Sequence, residues 1–233
     1  MSGDTGTDLL PCVEVQARGE PRGAVVWLHG LGADGHDFEP IVSFLGLPMV
    51  RFVFPNAPAR PVTINGGMVM PAWYDVASLG GPGPGERADD VRRSARQIEA
   101  VLEREEERGV PSSRIVLAGF SQGAAMALHV GTRFPRALLG IMVLSGYEVL
   151  AETRDAEAAA ANQATPMLFC HGTHDPLVAV DRGRQAYEAH ARPERKAEWH
   201  EFPMGHEVSP AEIVVIRTWL SARFNPIHAE FRE

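Results

Sequence analysis

The pattern with the clearest chemical meaning is a serine flanked by glycines, in which Gly119, Ser121 and Gly123 have the spacing G-x-S-x-G. An apolar run beginning at Ile115 precedes this pattern, and an alanine-rich segment follows it. This order predicts a strand, a sharp turn and a helix, with the serine hydroxyl exposed at the carboxyl end of a buried strand. Glycine suits the flanking positions because side chains there would collide across so tight a bend. Ser121 is therefore the candidate nucleophile of an acyl-transfer reaction.

A serine hydroxyl is a weak nucleophile at neutral pH unless a base accepts its proton and a third group orients that base. After a serine on such a turn, an acid and then a histidine are expected in chain order, each behind a later strand. Asp175 follows the predicted strand at 166–170, and His206 lies between the last predicted strand and the closing helix. The competing residues lie in predicted helices, strands or polar segments: His190, His200, His228, Asp155 and Asp181. The sequence thus predicts a triad of Ser121, Asp175 and His206.

A second glycine-rich stretch, HGLGADG at residues 29–35, follows the predicted strand at 24–28. Its glycines, at positions 30, 32 and 35, spell G-x-G-x-x-G, which is the fingerprint of a dinucleotide-binding oxidoreductase. That function also needs an acidic residue at the end of the next strand, but the strand at 50–54 runs into Pro-Asn-Ala-Pro. Dinucleotide binding is therefore the less favoured interpretation.

The favoured interpretation of the same stretch is an oxyanion hole. Flexible glycines after an early strand allow a backbone N–H to face the point where negative charge develops. The donors we expect are the N–H of Leu31 and the N–H of Gln122, the residue after the candidate nucleophile. Gln122 also opens the predicted helix, whose N-terminal partial positive charge favours an anion.

The wall of the substrate site is expected between the strand at 50–54 and the first long helix. Residues 61–71 contain two short apolar segments about an Asn-Gly pair, which predicts a hairpin-like excursion, and residues 80–85 are too rich in Gly and Pro for regular structure. The candidate substrate contacts in this region are Trp73, Met70 and Leu79, with Met68 beside a channel for a longer chain. A plain surface loop with a buried tryptophan is the alternative.

Predicted strands and helices alternate along the chain. Besides the elements around Ser121, strands are predicted at 13–17, 24–28, 50–54, 138–144, 166–170 and 197–202, and helices at 86–108, 152–163, 186–191 and 211–224. Alternation of this kind predicts an α/β fold, a single mostly parallel sheet with helices on both faces. The charged run at 103–108 is predicted to face solvent. No linker or repeat interrupts the pattern, so residues 1–233 are predicted to form one domain.

Composition excludes several classes of partner. The net charge is -8 and there is no Lys/Arg-rich run, which argues against nucleic acid or an anionic membrane surface as the main partner. The sequence contains no run of about 18 apolar residues, so no membrane span is predicted. Residues 1–11 lack the charged and apolar regions of a secretion signal. Cys12 and Cys170 have no metal-ligand or disulfide spacing. We therefore expect a cytoplasmic protein with a small ligand, no cofactor and no metal.

These motifs together resemble those of the carboxylesterase and acyl-protein thioesterase family, small α/β-hydrolases of the phospholipase/carboxylesterase type. The resemblance spans nearly the whole chain and rests on HGLG at 29–32, FPNAP at 54–58, WYD at 73–75, GFSQG at 119–123, HGTHD at 171–175 and MGH at 204–206. It implies an α/β-hydrolase fold without a large lid domain, the triad Ser121, Asp175 and His206, and oxyanion donors at Leu31 and Gln122. Because members of this family are often dimers, it also implies a possible homodimer.

The resemblance implies hydrolysis of carboxylic esters with short or medium acyl chains. Some family members instead act on thioesters of acylated proteins or on lysophospholipids. His174 beside the acid and Glu207 beside the histidine differ from the expected pattern, and either could alter substrate choice or the pH profile. At this point four functions are open: a serine esterase, which is favoured, a depalmitoylating thioesterase or lysophospholipase, a nucleotide-dependent oxidoreductase, and a non-catalytic binding protein with a hydrolase fold.

Overall fold

The structure, a computed structural model, describes residues 9–78 and 86–229. The candidate substrate contact Leu79 lies outside the described residues, as does the Gly/Pro-rich stretch that follows it. None of the helices in the described part of the chain is long and apolar enough to cross a lipid bilayer.

The described strands are β1 Cys12–Val15, β2 Gly23–Leu28, β3 Val50–Pro55, β4 Ala59–Val62, β5 Met68–Pro71, β6 Ile115–Phe120, β7 Gly140–Leu144, β8 Met167–Gly172 and β9 Ala197–Phe202. The described helices are α1 Val42–Leu45, α2 Ala88–Glu107, α3 Gln122–Arg133, α4 Arg154–Glu157, α5 Val180–His190 and α6 Pro210–Ala229. Seven strands form one sheet in the order β1-β3-β2-β6-β7-β8-β9, in which only β1 is antiparallel to its neighbour. This confirms the predicted α/β fold, and the described residues contain no large lid domain.

The inner strands are apolar along their whole length because both faces of the sheet are covered. All residues of β2, β3, β7 and β8 are buried, as is usual in a parallel sheet with helices on both sides. Ile98 of α2 and Met126 of α3 belong to the apolar core on one face, whereas Leu45 of α1 and Ile216 of α6 belong to the core on the other. The carboxyl ends of the parallel strands therefore meet at one edge, where a ligand site is expected.

The predicted hairpin is present between β3 and α2. Strands β4 and β5 pair antiparallel, from Ala59 opposite Pro71 to Val62 opposite Met68. A 3-10 turn at Thr63–Asn65 and two glycines with positive φ, Gly66 and Gly67, close it.

The predicted helix at 152–163 is wrong in its extent. Only α4 is α-helical there, and 3-10 turns lie on either side of it. The Asn162 side chain donates to the Phe134 carbonyl over 2.7 Å and accepts from the Leu138 N–H over 2.9 Å. These tertiary hydrogen bonds hold the segment against the end of α3 and override the helix propensity of its alanines.

The prediction that the charged run at 103–108 faces solvent is wrong at Glu105. The Glu105 side chain is fully buried and accepts from Arg51 on β3 over 2.6 Å. Arg104 and Arg108 also pair with it. A buried carboxylate requires such partners because an unpaired charge in the interior is strongly destabilising.

Candidate active site

Ser121 lies on a strained turn between β6 and α3. Its φ of 54° and ψ of -119° fall where residues other than glycine are rarely found. A Cβ on Gly119 would overlap the backbone of Gly123, and a Cβ on Gly123 would overlap the carbonyl oxygens of Leu28 and His29. Both glycines are therefore required by close backbone packing, as their spacing in the sequence predicts.

The structure brings Ser121, His206 and Asp175 into contact. The His206 Nε2 atom lies 2.8 Å from the Ser121 Oγ atom, and Nδ1 lies 2.6 Å from the Asp175 Oδ2 atom. Because a carboxylate oxygen only accepts, Nδ1 carries the proton, and Nε2 is free to accept the serine proton. The Phe120 ring packs on the imidazole with centroids 4.8 Å apart.

The acid is held by the turn that follows it. The Asp175 side chain is fully buried, and its Oδ1 atom accepts from the N–H groups of Leu177 and Val178, each over 2.8 Å. The buried His171 Nε2 atom donates to the Val178 carbonyl over 2.9 Å and so closes the same turn. Burial, opposed by that hydrogen bond and by Asp175, lowers the pKa of His171 below its ordinary value. Oδ2 of Asp175 accepts from His206, and the His171 Nε2 atom lies farther from this oxygen, at 3.7 Å.

The loops that carry Asp175 and His206 are bonded to each other. The Thr173 N–H donates to the Phe202 carbonyl over 2.9 Å, and the His174 N–H donates to the Met204 carbonyl over 3.1 Å. His174 and Glu207, the two residues that differ from the pattern expected above, are both exposed. The bulk of His174 is therefore accommodated outside the contact between acid and histidine.

The proposed oxyanion donors flank the candidate nucleophile. Leu31 and Gln122 both line the cavity that contains Ser121. The N–H of Gln122 belongs to the first turn of α3, where helical N–H groups have no carbonyl partner within the helix. The glycine-rich stretch at residues 29–35, called the glycine loop below, is anchored at Gly32. The φ of Gly32 is +77°, and its N–H donates to the Pro71 carbonyl over 2.9 Å.

The cavity in front of Ser121 has a volume of about 340 Å³. Its described lining is Gly30, Leu31, Ala33, Asp37, Ile64, Asn65, Val76, Phe120, Ser121, Gln122, Tyr147, Leu177, Val178 and His206. Burial, with Glu86, raises the pKa of Tyr147 to about 12 although its hydrogen bond to Tyr74 acts in the opposite direction, so this hydroxyl stays neutral. A cavity of this size with mainly apolar walls suits a small acyl compound.

Two of the expected substrate contacts do not lie in the described lining of this cavity. The Trp73 side chain is fully buried, which is the alternative noted for it above. Its indole N–H donates to the His29 carbonyl over 2.8 Å. Met70 lies beside the glycine loop, with its Sδ atom 3.6 Å from the point where a Cβ of Gly32 would lie. In their place Ile64 and Leu177 line the cavity, and the sequence carries no pattern that singles them out.

The glycine loop does not lead into the helix that a dinucleotide site requires. After Gly35 the chain forms a turn, a 3-10 segment at Glu39–Ile41 and the four-residue α1. Gly35 instead packs closely on β3, where a Cβ would lie 2.6 Å from the Phe54 carbonyl oxygen. Among the residues that the structure describes, no group of three or more His, Cys, Asp or Glu side chains is arranged to hold a metal ion.

The sheet is mostly parallel, and a serine lies on the turn after its central strand. An aspartate and a histidine follow this serine along the chain, and the histidine contacts both the serine and the aspartate. This combination of fold and site defines an enzyme of the α/β-hydrolase class. The chain belongs to the phospholipase/carboxylesterase family, whose model matches residues 10–223. The resemblance noted from the motifs is thereby confirmed, and the protein is a hydrolase of carboxylic esters or thioesters.

Named relatives agree with this assignment. The chain is 33% identical over 217 residues to acyl-protein thioesterase 1 of Yarrowia lipolytica, covering 90% of this chain and 96% of that protein. The crystal structure of Zea mays acyl-protein thioesterase 2 matches with a TM-score of 0.80 and 29% identity, over 92% of this chain and 99% of that one. The crystal structure of esterase PE8 matches with a TM-score of 0.81 and 28% identity, over 92% and 99% of the two chains.

Proposed function

We propose that this protein is a serine esterase in which Ser121 is the nucleophile, His206 the general base and Asp175 the group that orients and stabilises the histidine. The observation that carries the proposal is the continuous hydrogen-bonded series from Ser121 Oγ to His206 Nε2, 2.8 Å, and from His206 Nδ1 to Asp175 Oδ2, 2.6 Å. Ser121 and His206 also line the cavity. Nucleophile, base and orienting acid are thus within the distances that proton transfer requires.

The reaction begins when Ser121 Oγ attacks the acyl carbonyl carbon and its proton moves to Nε2 of His206. The negative charge on the carbonyl oxygen is met by the N–H groups of Leu31 and Gln122. The intermediate collapses as His206 donates the proton to the leaving alcohol or thiol, which leaves an acyl group on Ser121. A water molecule, deprotonated by His206, then attacks this acyl-enzyme, and the acid is released as Ser121 regains its proton.

The proposal is tested with p-nitrophenyl butyrate and the variant Ser121→Ala. We expect kcat to fall by about 10^6, and a fluorophosphonate probe should label the wild type at Ser121 only. The exposed Ser43 on α1 provides a matched control, and Ser43→Ala should keep full activity. Unchanged hydrolysis by Ser121→Ala, or labelling elsewhere, would exclude the proposal and favour a non-catalytic binding protein.

A depalmitoylating acyl-protein thioesterase is the second candidate, with hydrolysis of lysophospholipids by the same triad beside it. It is supported by the names of the Yarrowia lipolytica and Zea mays relatives and by the apolar Ile64, Val76 and Leu177 in the cavity wall. For this chain we propose small esters of short or medium acyl chain as the principal substrates, with acylated proteins as the alternative. Turnover of matched ester and thioester series from acetyl to palmitoyl separates the two.

We also propose that residues 1–233 act as one domain. This proposal is supported by the single seven-stranded sheet, which contains both the first strand, β1, and the last, β9. The homodimer and the cytoplasmic location expected from the sequence stay predictions. Sedimentation of the purified protein and fractionation of cells test them.

A further inference from the structure

The strongest feature outside the triad is the environment of His29, the histidine before the glycine loop. His29 is the first residue after β2 and is almost completely buried. Its two ring nitrogens each meet a backbone group on a different segment: Nδ1 lies 2.7 Å from the Gly30 carbonyl oxygen, and Nε2 lies 3.0 Å from the Ala57 nitrogen.

These two contacts fix the protonation of the ring. A carbonyl oxygen only accepts a hydrogen bond and a backbone N–H only donates one, so Nδ1 must carry a proton and Nε2 must not. Burial lowers the pKa of His29 below its ordinary value, although the hydrogen bond to Gly30, Asp34 and Asp37 act in the opposite direction. The ring is therefore neutral and held in one tautomer, with a single N–H that points at Gly30.

The carbonyl that receives this N–H belongs to the same peptide group as the N–H of Leu31. The peptide group is planar and trans, so its C=O and N–H point in opposite directions. A hydrogen bond that fixes the direction of the Gly30 oxygen therefore also fixes the direction of the Leu31 N–H. The only other described backbone donor to this oxygen is the Ala33 N–H, at a longer 3.3 Å.

We infer that His29 is a positioning residue that aims the Leu31 N–H at the oxyanion by holding the Gly30 carbonyl with its Nδ1–H. The inference rests on the proposed role of Leu31 as an oxyanion donor. It adds a neutral imidazole of fixed tautomer to the machinery, distinct from His206, and that imidazole never contacts the substrate.

Two substitutions of His29 distinguish the role of Nδ1 as a donor from the role of Nε2 as an acceptor. The Asn amide nitrogen is the same number of bonds from Cβ as Nδ1, so His29→Asn can keep the donor to Gly30. The Gln amide oxygen corresponds to Nε2, so His29→Gln can keep the acceptor for Ala57 while losing the donor. With p-nitrophenyl butyrate we expect His29→Gln to lower kcat by about 10- to 100-fold with KM within about twofold, because a misdirected oxyanion donor is nearly a lost one. The kcat of His29→Asn should be at least tenfold higher than the kcat of His29→Gln.

A boronic acid that forms a tetrahedral adduct with Ser121 provides the second readout. Its inhibition constant should rise in parallel with the loss of kcat/KM in His29→Gln, whereas binding of the carboxylate product should not change. His129, a buried histidine on α3 whose Nδ1 atom has no partner among the described residues, supplies the control for loss of any buried imidazole. His129→Gln should keep the wild-type kcat even where it lowers Tm. Equal losses in His29→Asn and His29→Gln would overturn the inference.

A measurement on the wild type tests the inference without any variant. Nitrogen-15 NMR should show His29 as the neutral Nδ1–H tautomer at pH 6 to 8, and an Nε2–H tautomer would overturn the inference. If the wild type hydrolyses no ester and binds no fluorophosphonate, the proposed function fails, while the tautomer result still decides the geometry of His29.

Discussion

The indole N–H of Trp73 donates to the main-chain carbonyl of His29 over 2.8 Å, so a residue of the hairpin region supports the start of the glycine loop. The backbone N–H of Trp73 donates to the side-chain oxygen of Gln122 over the same distance, 2.8 Å. The Gln122 amide in turn donates to the Tyr74 carbonyl over 2.8 Å. Trp73 thus links the two segments that supply the proposed oxyanion donors, which explains a buried tryptophan beside an active site.

Substitution of Trp73 by Phe should affect catalysis more than substrate binding. The ring would remain, but the hydrogen bond to the His29 carbonyl would be lost and that oxygen left unpaired in the interior. We expect kcat to fall about 3- to 10-fold, the equivalent of roughly 1 kcal/mol, with KM unchanged. Steady-state kinetics with p-nitrophenyl butyrate measure the effect.

The control for that experiment is Trp27→Phe. Trp27 is equally buried, on β2, but its Nε1 atom has no hydrogen-bond partner among the described residues. Its substitution removes similar volume and no hydrogen bond, so kcat should stay at the wild-type value. A larger loss of kcat in Trp27→Phe than in Trp73→Phe would contradict the proposed link.

Gly123→Ala should damage both the fold and the site. A Cβ at this position would overlap the carbonyl oxygens of Leu28 and His29, and backbone atoms cannot move aside as a flexible side chain can. We expect the free energy of unfolding to fall by about 2 kcal/mol or more and the activity of the folded fraction to fall as well. Gly66→Ala is the control, since a Cβ there meets nothing within 4 Å and only the positive φ costs about 1 kcal/mol. Urea denaturation that ranks the two variants in the opposite order would refute this packing argument.

The candidate site could be predicted from the sequence where its chemistry is local. The glycines around Ser121 are needed by the turn itself, and the positions of Asp175 and His206 follow from the order of strands along the chain. The contacts of Trp73 could not be predicted in this way, because its partners are 44 and 49 residues away in sequence. An apolar aromatic side chain gives no sign of whether it faces a ligand or the main chain.

The fold, like the site, could be predicted from the sequence only in part. The inner strands were predictable because a sheet covered on both faces requires continuous apolar residues. The burial of Glu105 was not predictable, since the charges around it at 103–108 are typical of a solvated helix face and Arg51 is 54 residues away.

The Arg51–Glu105 pair leads to a prediction about stability. Glu105→Gln would leave the buried Arg51 guanidinium without its carboxylate, and removal of one partner of a buried pair typically costs about 3 to 5 kcal/mol. We expect a loss of that order in urea denaturation, with kcat of the folded enzyme unchanged. Glu107→Gln, an exposed position two residues along the same helix, should have almost no effect. Equal stability of the two variants would mean that the buried pair contributes nothing.

The last prediction concerns Glu212, a fully buried carboxyl in the first turn of α6 that forms no ion pair with any of the described residues. Burial raises its pKa to about 8 in the folded state, although a hydrogen bond from the Ser209 backbone acts in the opposite direction, whereas an unfolded Glu titrates near 4.5. Between these values the folded state holds a proton that the unfolded state has released. The stability that this proton provides is complete below about pH 4.5 and is lost as pH rises towards 8.

Glu212→Gln should remove this pH dependence because the amide is neutral throughout. We expect the variant to gain stability relative to the wild type as pH rises from 5 to 9, by an amount on the order of a few kcal/mol at the upper end. Urea denaturation at several pH values measures it, with the exposed Glu188→Gln on α5 as the control that should follow the wild type at every pH. A constant difference between Glu212→Gln and the wild type across this range would show that Glu212 is not protonated in the folded protein.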